Sequence, residues 1–162
     1  LFFAEVQNKL IFAVTKKTAA EIVVSRADAG KPNMALTSWK GSRVRKEDVI
    51  VSKNYLTADE IDTLNRLVTM FLDQAELRAK EHKDLTLDYW RKNVDRLLEF
   101  NDRPVLKHNG SISNGEMKSI AHERYETFDA RRRTEEALAA DAEDLKLLED
   151  IEKKAKTKGG GK

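Results

Sequence analysis

The longest part of the sequence without helical periodicity is residues 29–57, AGKPNMALTSWKGSRVRKEDVIVSKNYLT. It contains Pro32, one of two prolines in the chain, and Trp39, one of two tryptophans. Helical patterns precede and follow it, so the rest of the fold is arranged around a loop. A loop of this length inside a compact domain is uncommon unless it binds something or is held by its own packing. This loop is therefore the first candidate for a functional site.

Basic side chains are concentrated in this loop, with no acidic residue among them. They are Lys31, Lys40, Arg43, Arg45 and Lys46. Around Trp39 they combine cations that pair with phosphate and an aromatic surface for stacking, which indicates an anion or nucleic-acid site. In the alternative interpretation Trp39, Met34 and Leu36 fix the loop in the core and the cations are only solvated, because tryptophan is highly buried on average.

Carboxylates on both sides of the loop leave an enzymatic alternative open. Asp28 precedes the cations, and Glu47 and Asp48 follow them. An enzyme acting on nucleic acid or a nucleotide would bring these carboxylates into one cleft with nearby arginines. Those arginines are Arg26, Arg43 and Arg45. A scattered arrangement would favour binding alone.

Residues for metal, thiol or cofactor chemistry are sparse. The chain has no cysteine, which excludes disulfides and thiolate ligands and fits a reducing cytosol. Its histidines, His82, His108 and His122, fall in separate predicted elements without metal-ligand spacing. No phosphate-binding glycine loop or nucleophile motif is present. We therefore predict no metal, no cofactor and no membrane span, and a cytoplasmic location.

Capping signals predict where the helices begin. Capping boxes pair Thr18 with Glu21, Thr57 with Glu60 and Ser113 with Glu116, and Thr86 caps a further helix. The helix that starts after Thr18 is expected to close near Gly30. Residues 47–55 are predicted as a short helix, although Val49, Ile50 and Val51 are β-branched.

Apolar spacing predicts which faces of the helices are buried. The first helix carries Phe3, Val6, Leu10 and Ala13 on one face. A helix of about six turns, from Thr57 to about His82, forms the spine, with Ile61, Leu64, Val68, Phe71 and Ala75 on its face. The helix that starts after Thr86 is predicted to bury Leu87, Trp90, Val94 and either Leu97 or Leu98. The helix that starts after Ser113 is predicted to bury Met117, either Ile120 or Ala121, and Phe128. Leu64 and Phe71 are expected to be almost fully buried.

The pattern changes after residue 133. Eight acidic residues and one lysine lie between positions 135 and 152, followed by a lysine-rich end. A narrow apolar stripe runs through this segment: Leu138, Ala142, Leu145, Leu148 and Ile151. We expect a protruding helix that docks on a partner, on a second copy or back on its own core.

Several runs of the sequence are distinctive beyond their periodicity. They are VQNKLIFAVT (6–15), RADAGKPNMALTSWKG (26–41), EIDTLNRLVTMFLDQAELRA (60–79), DYWRKNVDRLLEFND (88–102), HNGSIS (108–113) and RYETFDARRR (124–133). Together they resemble the C-terminal region of the RhuM family of bacterial virulence-associated proteins, over residues 1–133. The resemblance implies that longer relatives carry an N-terminal segment like phage antirepressor or DNA-binding modules. The resemblance brings no accepted activity and no set of catalytic residues to look for in this sequence.

The sequence thus predicts an all-α single domain, a bundle of about five or six helices with a long central basic loop and an extended C-terminal helix. Residues 1–133 form the RhuM-like domain, and 134–162 a charged helical extension with a glycine-rich tail. The predicted function is a non-enzymatic interaction module whose missing N-terminal segment binds DNA. Its partner is another protein or a second copy, bound through the C-terminal helix. The alternative is an enzyme or binder that acts on nucleic acid or nucleotide through residues 31–46.

Overall fold

The computed structural model describes residues 2–83 and 86–159 and confirms the predicted all-α class. Within these residues five α-helices are present: α1 (Phe2–Thr15), α2 (Ala19–Arg26), α3 (Ala58–Lys80), α4 (Leu87–Phe100) and α5 (Asn114–Gly159). Three short 3₁₀ turns, Pro32–Ala35, Asp48–Ile50 and Ser52–Tyr55, lie between α2 and α3. No helix in the described part of the chain is both long and apolar enough to cross a membrane.

The helix starts follow the predicted capping chemistry. The hydroxyl of Thr18 accepts from the Glu21 amide, and the Glu21 carboxylate accepts from the Thr18 amide. The same reciprocal pair joins Thr57 to Glu60 at the start of α3. Each box satisfies backbone N–H groups that the first turn of a helix leaves without partners. Ser113 and Glu116 form a third box at the start of α5, whereas the Thr86 hydroxyl caps α4 alone by accepting from the Tyr89 amide.

The core of the first four helices is built on α1, which packs against α2, α3 and α4. Its buried residues are Val6, Leu10, Ile11 and Ala13. The other helices contribute Ile22, Val23, Leu64, Leu67, Trp90, Val94 and Leu98. An ion pair between Lys9 Nζ and Asp95 Oδ1, 2.7 Å apart, also joins α1 to α4. The predicted inward faces of α1 and α4 are therefore largely right.

Several apolar residues predicted to face inward are not fully buried, among them Ile61, Val68 and Ala75 of α3, which are half-buried. Phe3 is 84% exposed and Leu87 is exposed, because each lies at the first turn of its helix, where fewer elements cover it. Phe71 is only half-buried. Its ring packs roughly perpendicular to the ring of Trp90, with ring centroids 5.2 Å apart. On α3 the second fully buried position is Leu67 instead.

Two element boundaries also differ from prediction. Helix α2 ends at Arg26 and not near Gly30, because Ala27 leaves the helical region with ψ 118°. Residues 47–55 form two 3₁₀ turns in place of one helix. Val51 stands between them in an extended conformation, which suits a β-branched residue.

Helix α5 continues past Phe128 as predicted, and Met117, Ala121 and Phe128 are buried. The chain divides into two compact units between Tyr125 and Glu126. The functional division into residues 1–133 and 134–162 stays a prediction.

Candidate functional site

The central loop contains a left-handed turn made of three consecutive residues other than glycine. Asn33, Met34 and Ala35 have φ values of 52°, 56° and 62°. For L-residues this conformation costs roughly 1–2 kcal/mol per residue, and runs of it are rare. The turn persists because Met34 is fully buried and its carbonyl accepts from the Asp28 amide at 3.3 Å. Strain of this kind is concentrated at functional sites in proteins.

The loop is also held by packing and hydrogen bonds on both sides of this turn. Leu36 and Val44 are buried. The Thr37 hydroxyl donates to the Leu56 carbonyl at 2.6 Å. Buried Asp48 accepts from the Arg45 amide at 2.9 Å, so this carboxylate has a structural role. Packing therefore holds the loop at Met34 and Leu36, two of the three residues that one interpretation of the sequence named, and at Val44, which was not recognised.

The predicted anion-site residues lie on the surface of this fixed loop. Lys31, Lys40, Arg43, Arg45 and Lys46 are all exposed. Lys31 Nζ lies 3.9 Å from Asp28 Oδ2, an exposed pair of little energetic consequence. Trp39 is half-buried, so its ring is neither fully packed nor free in solvent. Whether it stacks on a ligand or only stabilises the loop stays a prediction.

Arg26, the last residue of α2, is engaged by the start of α3. Its Nη1 and Nη2 each lie 2.6 Å from a carboxylate oxygen of Glu60, a two-pronged arrangement. Nη1 also donates to the Tyr55 carbonyl at 2.8 Å. The hydrogen bonds from Arg26 lower the pKa of Glu60 to about 2. Arg26 thus ties α2 to α3 through the same carboxylate that closes the capping box.

Beside the end of α2 lies an open cavity of about 750 Å³. Its charged lining residues are Arg26, Asp28, Lys31 and Arg124. The other candidate groups, Arg43, Arg45, Glu47 and Asp48, are not among its lining. Of the six carboxylates and arginines that flank the loop, only Arg26 and Asp28 therefore share this cavity.

Arg124 is the lining residue that sequence reasoning missed. Its Nη1 donates to the carbonyls of Val24 and Ala27, at 2.6 and 2.7 Å. These carbonyls belong to the C-terminal end of α2, where a cation is favourable. Nothing local in the sequence points to this contact, because Arg124 is about a hundred residues away along the chain.

The second feature of interest is the far part of α5. Large apolar side chains are more than half exposed there: Leu138, Leu145, Leu147, Leu148 and Ile151. At the base of this part, buried Asp129 pairs with Arg132 and Arg133. The expected apolar stripe is therefore present and accessible.

The model of the virulence protein RhuM family matches residues 1–136, most of the chain. The chain belongs to the virulence protein RhuM family. No match was found among curated proteins or among solved structures. The RhuM match includes the loop and the cavity, and it ends before the exposed leucines of α5.

One RhuM segment outside the loop also has a clear structural role. In HNGSIS, the amide and hydroxyl of Ser111 donate to the Glu21 carboxylate at 2.7 and 2.8 Å. These bonds lower the pKa of Glu21 to about 2. Gly110 has φ +83°, and a Cβ atom there would lie 2.9 Å from Thr18 Cγ2. Only glycine lets this turn approach the start of α2 so closely.

The described residues contain no cluster of side chains suited to a metal ion. Within the described residues, no group of three histidine or acidic side chains could hold a metal ion.

Proposed function

We propose that this RhuM family chain is a non-enzymatic interaction module of a cytoplasmic, virulence-associated protein whose N-terminal segment binds DNA. In this proposal the module binds a protein partner through residues 134–154 of α5. The observation that carries it is the set of large apolar side chains left in solvent on one helix. Contiguous exposed apolar surface of this kind is typical of protein interaction sites.

The exposed residues define a docking face. Leu138, Leu145 and Leu148 are separated by seven and three positions, so they share one side of the helix. Leu147 lies outside this side, because successive residues are rotated by about 100°. Full burial of one leucine side chain contributes roughly 1.5–3 kcal/mol. Three leucines on one face therefore contribute roughly 5–9 kcal/mol of favourable burial to an interface.

Acidic residues within the docking face select the partner. Asp141 lies between Leu138 and Leu145 on this face, and Glu152 follows Leu148 by one turn. In a parallel pair of identical helices, Asp141 would face Asp141 of the other helix, and Glu152 would face Glu152. In an antiparallel pair with Leu145 opposite Leu148, Asp141 would face Glu152.

Both self-pairings therefore bring like charges together, which costs several kcal/mol at an interface. A partner helix with basic residues between its apolar residues would instead place opposite charges against Asp141 and Glu152. We therefore favour a different, basic partner over a second copy of this chain.

The test compares two matched leucine variants, Leu148→Ser on the face and Leu147→Ser outside it. Their leucines are equally exposed, 63% and 61%, and the substitution is the same. The full-length protein is used as bait in cells. Its partner should be lost with Leu148→Ser and kept with Leu147→Ser, while circular dichroism shows equal helix content.

Sedimentation of the purified chain provides the second arm. A monomer that binds a basic amphipathic partner supports the proposal, and removal of residues after Arg133 should abolish binding without unfolding the rest. A dimer that Leu148→Ser dissociates would mean that a second copy is the partner. Equal binding by both variants would contradict the docking face.

A second candidate function is nucleic-acid binding by the loop, favoured by its five exposed cations on a fixed backbone. The separation of Glu47 and Asp48 from the cavity supports binding over catalysis in this alternative.

A further inference from the structure

We propose that the cavity beside the C-terminal end of α2 is a binding site for a phosphate monoester of about mononucleotide size. This inference uses residues 24–57 and Arg124 only, and it does not rest on the proposed partner helix. It also differs from the loop alternative, since Lys40, Arg43, Arg45 and Lys46 do not line the cavity.

The principal cation of the site is Arg124. Two backbone carbonyls hold its Nη1, which fixes the plane of the guanidinium group. Within the described part of the chain, no hydrogen bond reaches its Nη2 or Nε. A guanidinium group presents its donors in a rigid fork that matches phosphate oxygens. Arg124 is thus a positioned donor group with capacity left for an anion.

Lys31 supplies a second cation to the same cavity. Its side chain is exposed and forms a loose ion pair with Asp28, with Nζ and Oδ2 3.9 Å apart. One oxygen of Asp28 already accepts from the Gly30 amide at 2.9 Å. Lys31 is therefore free to turn toward a ligand at little cost, as lysines that bind phosphate do.

The other charged residues of the lining decide the kind of anion. Arg26 is neutralised by Glu60, so it shapes the wall without adding net charge. Asp28 places an acceptor in the cavity, which disfavours a polyanion and suits a ligand that also carries hydroxyl or amino donors. A sugar phosphate or a nucleoside monophosphate has this combination of groups.

The size and backbone of the site agree with this ligand. A cavity of about 750 Å³ falls within the range of roughly 300–1,000 Å³ found for small-molecule sites. Ala35, part of the left-handed turn, lies in its wall next to Thr37. The strained turn thus has a use: it brings the Lys31 side of the loop up to the cavity. Strain retained beside a cationic cavity is the pattern expected of a binding site.

The first experiment titrates the chain with inorganic phosphate and with adenosine monophosphate, followed by amide NMR spectra. Shifts should concentrate at residues 28–37 and 124, and adenosine monophosphate should bind more tightly than phosphate alone. No saturable shift at millimolar concentrations of either probe would overturn the proposal.

A matched pair of loop variants separates the cavity from general electrostatics. Lys31→Ala should weaken binding about tenfold, the loss expected for one charged hydrogen bond. Lys53→Ala removes the same charge from an exposed position of the same loop but outside the cavity lining, and should leave the affinity unchanged. Equal weakening by both variants would show a diffuse attraction and refute the site.

Arg124→Lys tests the fork directly, since it retains the charge and loses the planar geometry. It should weaken binding about tenfold or more while both probes still compete with each other. Thermal melts distinguish this loss from unfolding, and Lys31→Ala, which removes no packing, decides the question if Arg124→Lys does not fold.

The phosphate group can belong to a free small molecule or to the end of a nucleic-acid strand. A 5′-phosphorylated oligonucleotide and its 5′-hydroxyl form distinguish these sources. Tighter binding of the phosphorylated strand than of adenosine monophosphate assigns a strand end. The opposite order assigns a free nucleotide. A 5′-phosphorylated strand that binds no more tightly than its 5′-hydroxyl form, together with no binding of adenosine monophosphate, would overturn the cavity as the phosphate site.

Discussion

Replacement of Glu60 by glutamine tests the junction on which the cavity is built. Glu60 pairs with both terminal nitrogens of Arg26 and accepts from the Thr57 amide. Its pKa falls from 4.5 to about 2 in the folded chain. At about 1.4 kcal/mol per pKa unit, this shift corresponds to a stabilisation of about 3 kcal/mol at neutral pH. Most of it should be lost in Glu60→Gln, because Gln retains the shape but not the charge.

The sign of the pH dependence follows from the lowered pKa. The unfolded chain binds the Glu60 proton more readily, so the stabilisation is complete above about pH 4.5 and is lost as the pH falls toward 2. Glu60→Gln should therefore be less stable than wild type at neutral pH, and the difference should shrink below pH 4.5. Urea unfolding at several pH values measures both effects.

Glu116→Gln is the matched control for this experiment. Glu116 occupies the same third position of a capping box, at the start of α5, and its carboxylate accepts from the Ser113 amide. It is fully exposed, and the pKa of Glu116 is lowered mainly by its hydrogen bonds with Ser113. Its loss should be much smaller than that of Glu60→Gln. Equal losses would refute the inference that the Arg26 pair supplies the stability.

Two further predictions concern the turn and the loop. Gly110→Ala should cost about 1–3 kcal/mol in thermal melts, because it adds a Cβ at φ +83° and 2.9 Å from a threonine side chain, whereas Gly115→Ala should be neutral. Destabilisation by both would contradict the close approach. If the loop binds nucleic acid, replacing Arg43 and Arg45 by alanine should flatten the salt dependence of binding without changing the melting temperature. Trp39→Ala should weaken that binding by about 1–3 kcal/mol if the ring stacks on a base, and should instead destabilise the fold if it packs the loop. Undetectable binding to DNA and RNA at low salt would remove this function.

Local chemistry in the sequence was sufficient to predict where α2, α3, α4 and α5 begin. The starts after Thr18, Thr57 and Ser113 depend on hydrogen bonds that close within three residues, so they can be recognised without knowing how the rest of the chain packs. Apolar spacing identified Leu10, Leu64 and most other core positions for the same reason. It placed Phe3 and Phe71 too deep, because periodicity shows which face points inward and not how far the neighbouring elements extend.

The candidate site needed the tertiary structure. The loop cations were visible in the sequence, but only the fold shows that Lys31 shares a cavity with Arg124 while Arg43 and Arg45 do not. The left-handed turn at residues 33–35 contradicts the backbone preferences of Met34 and Ala35, and tertiary contacts of Met34 stabilise it: its buried side chain and the hydrogen bond from the Asp28 amide to its carbonyl. Contacts between residues far apart in sequence have no local signature, since they depend on how the helices pack. The sequence therefore determined which groups are available, and packing decided which of them act together.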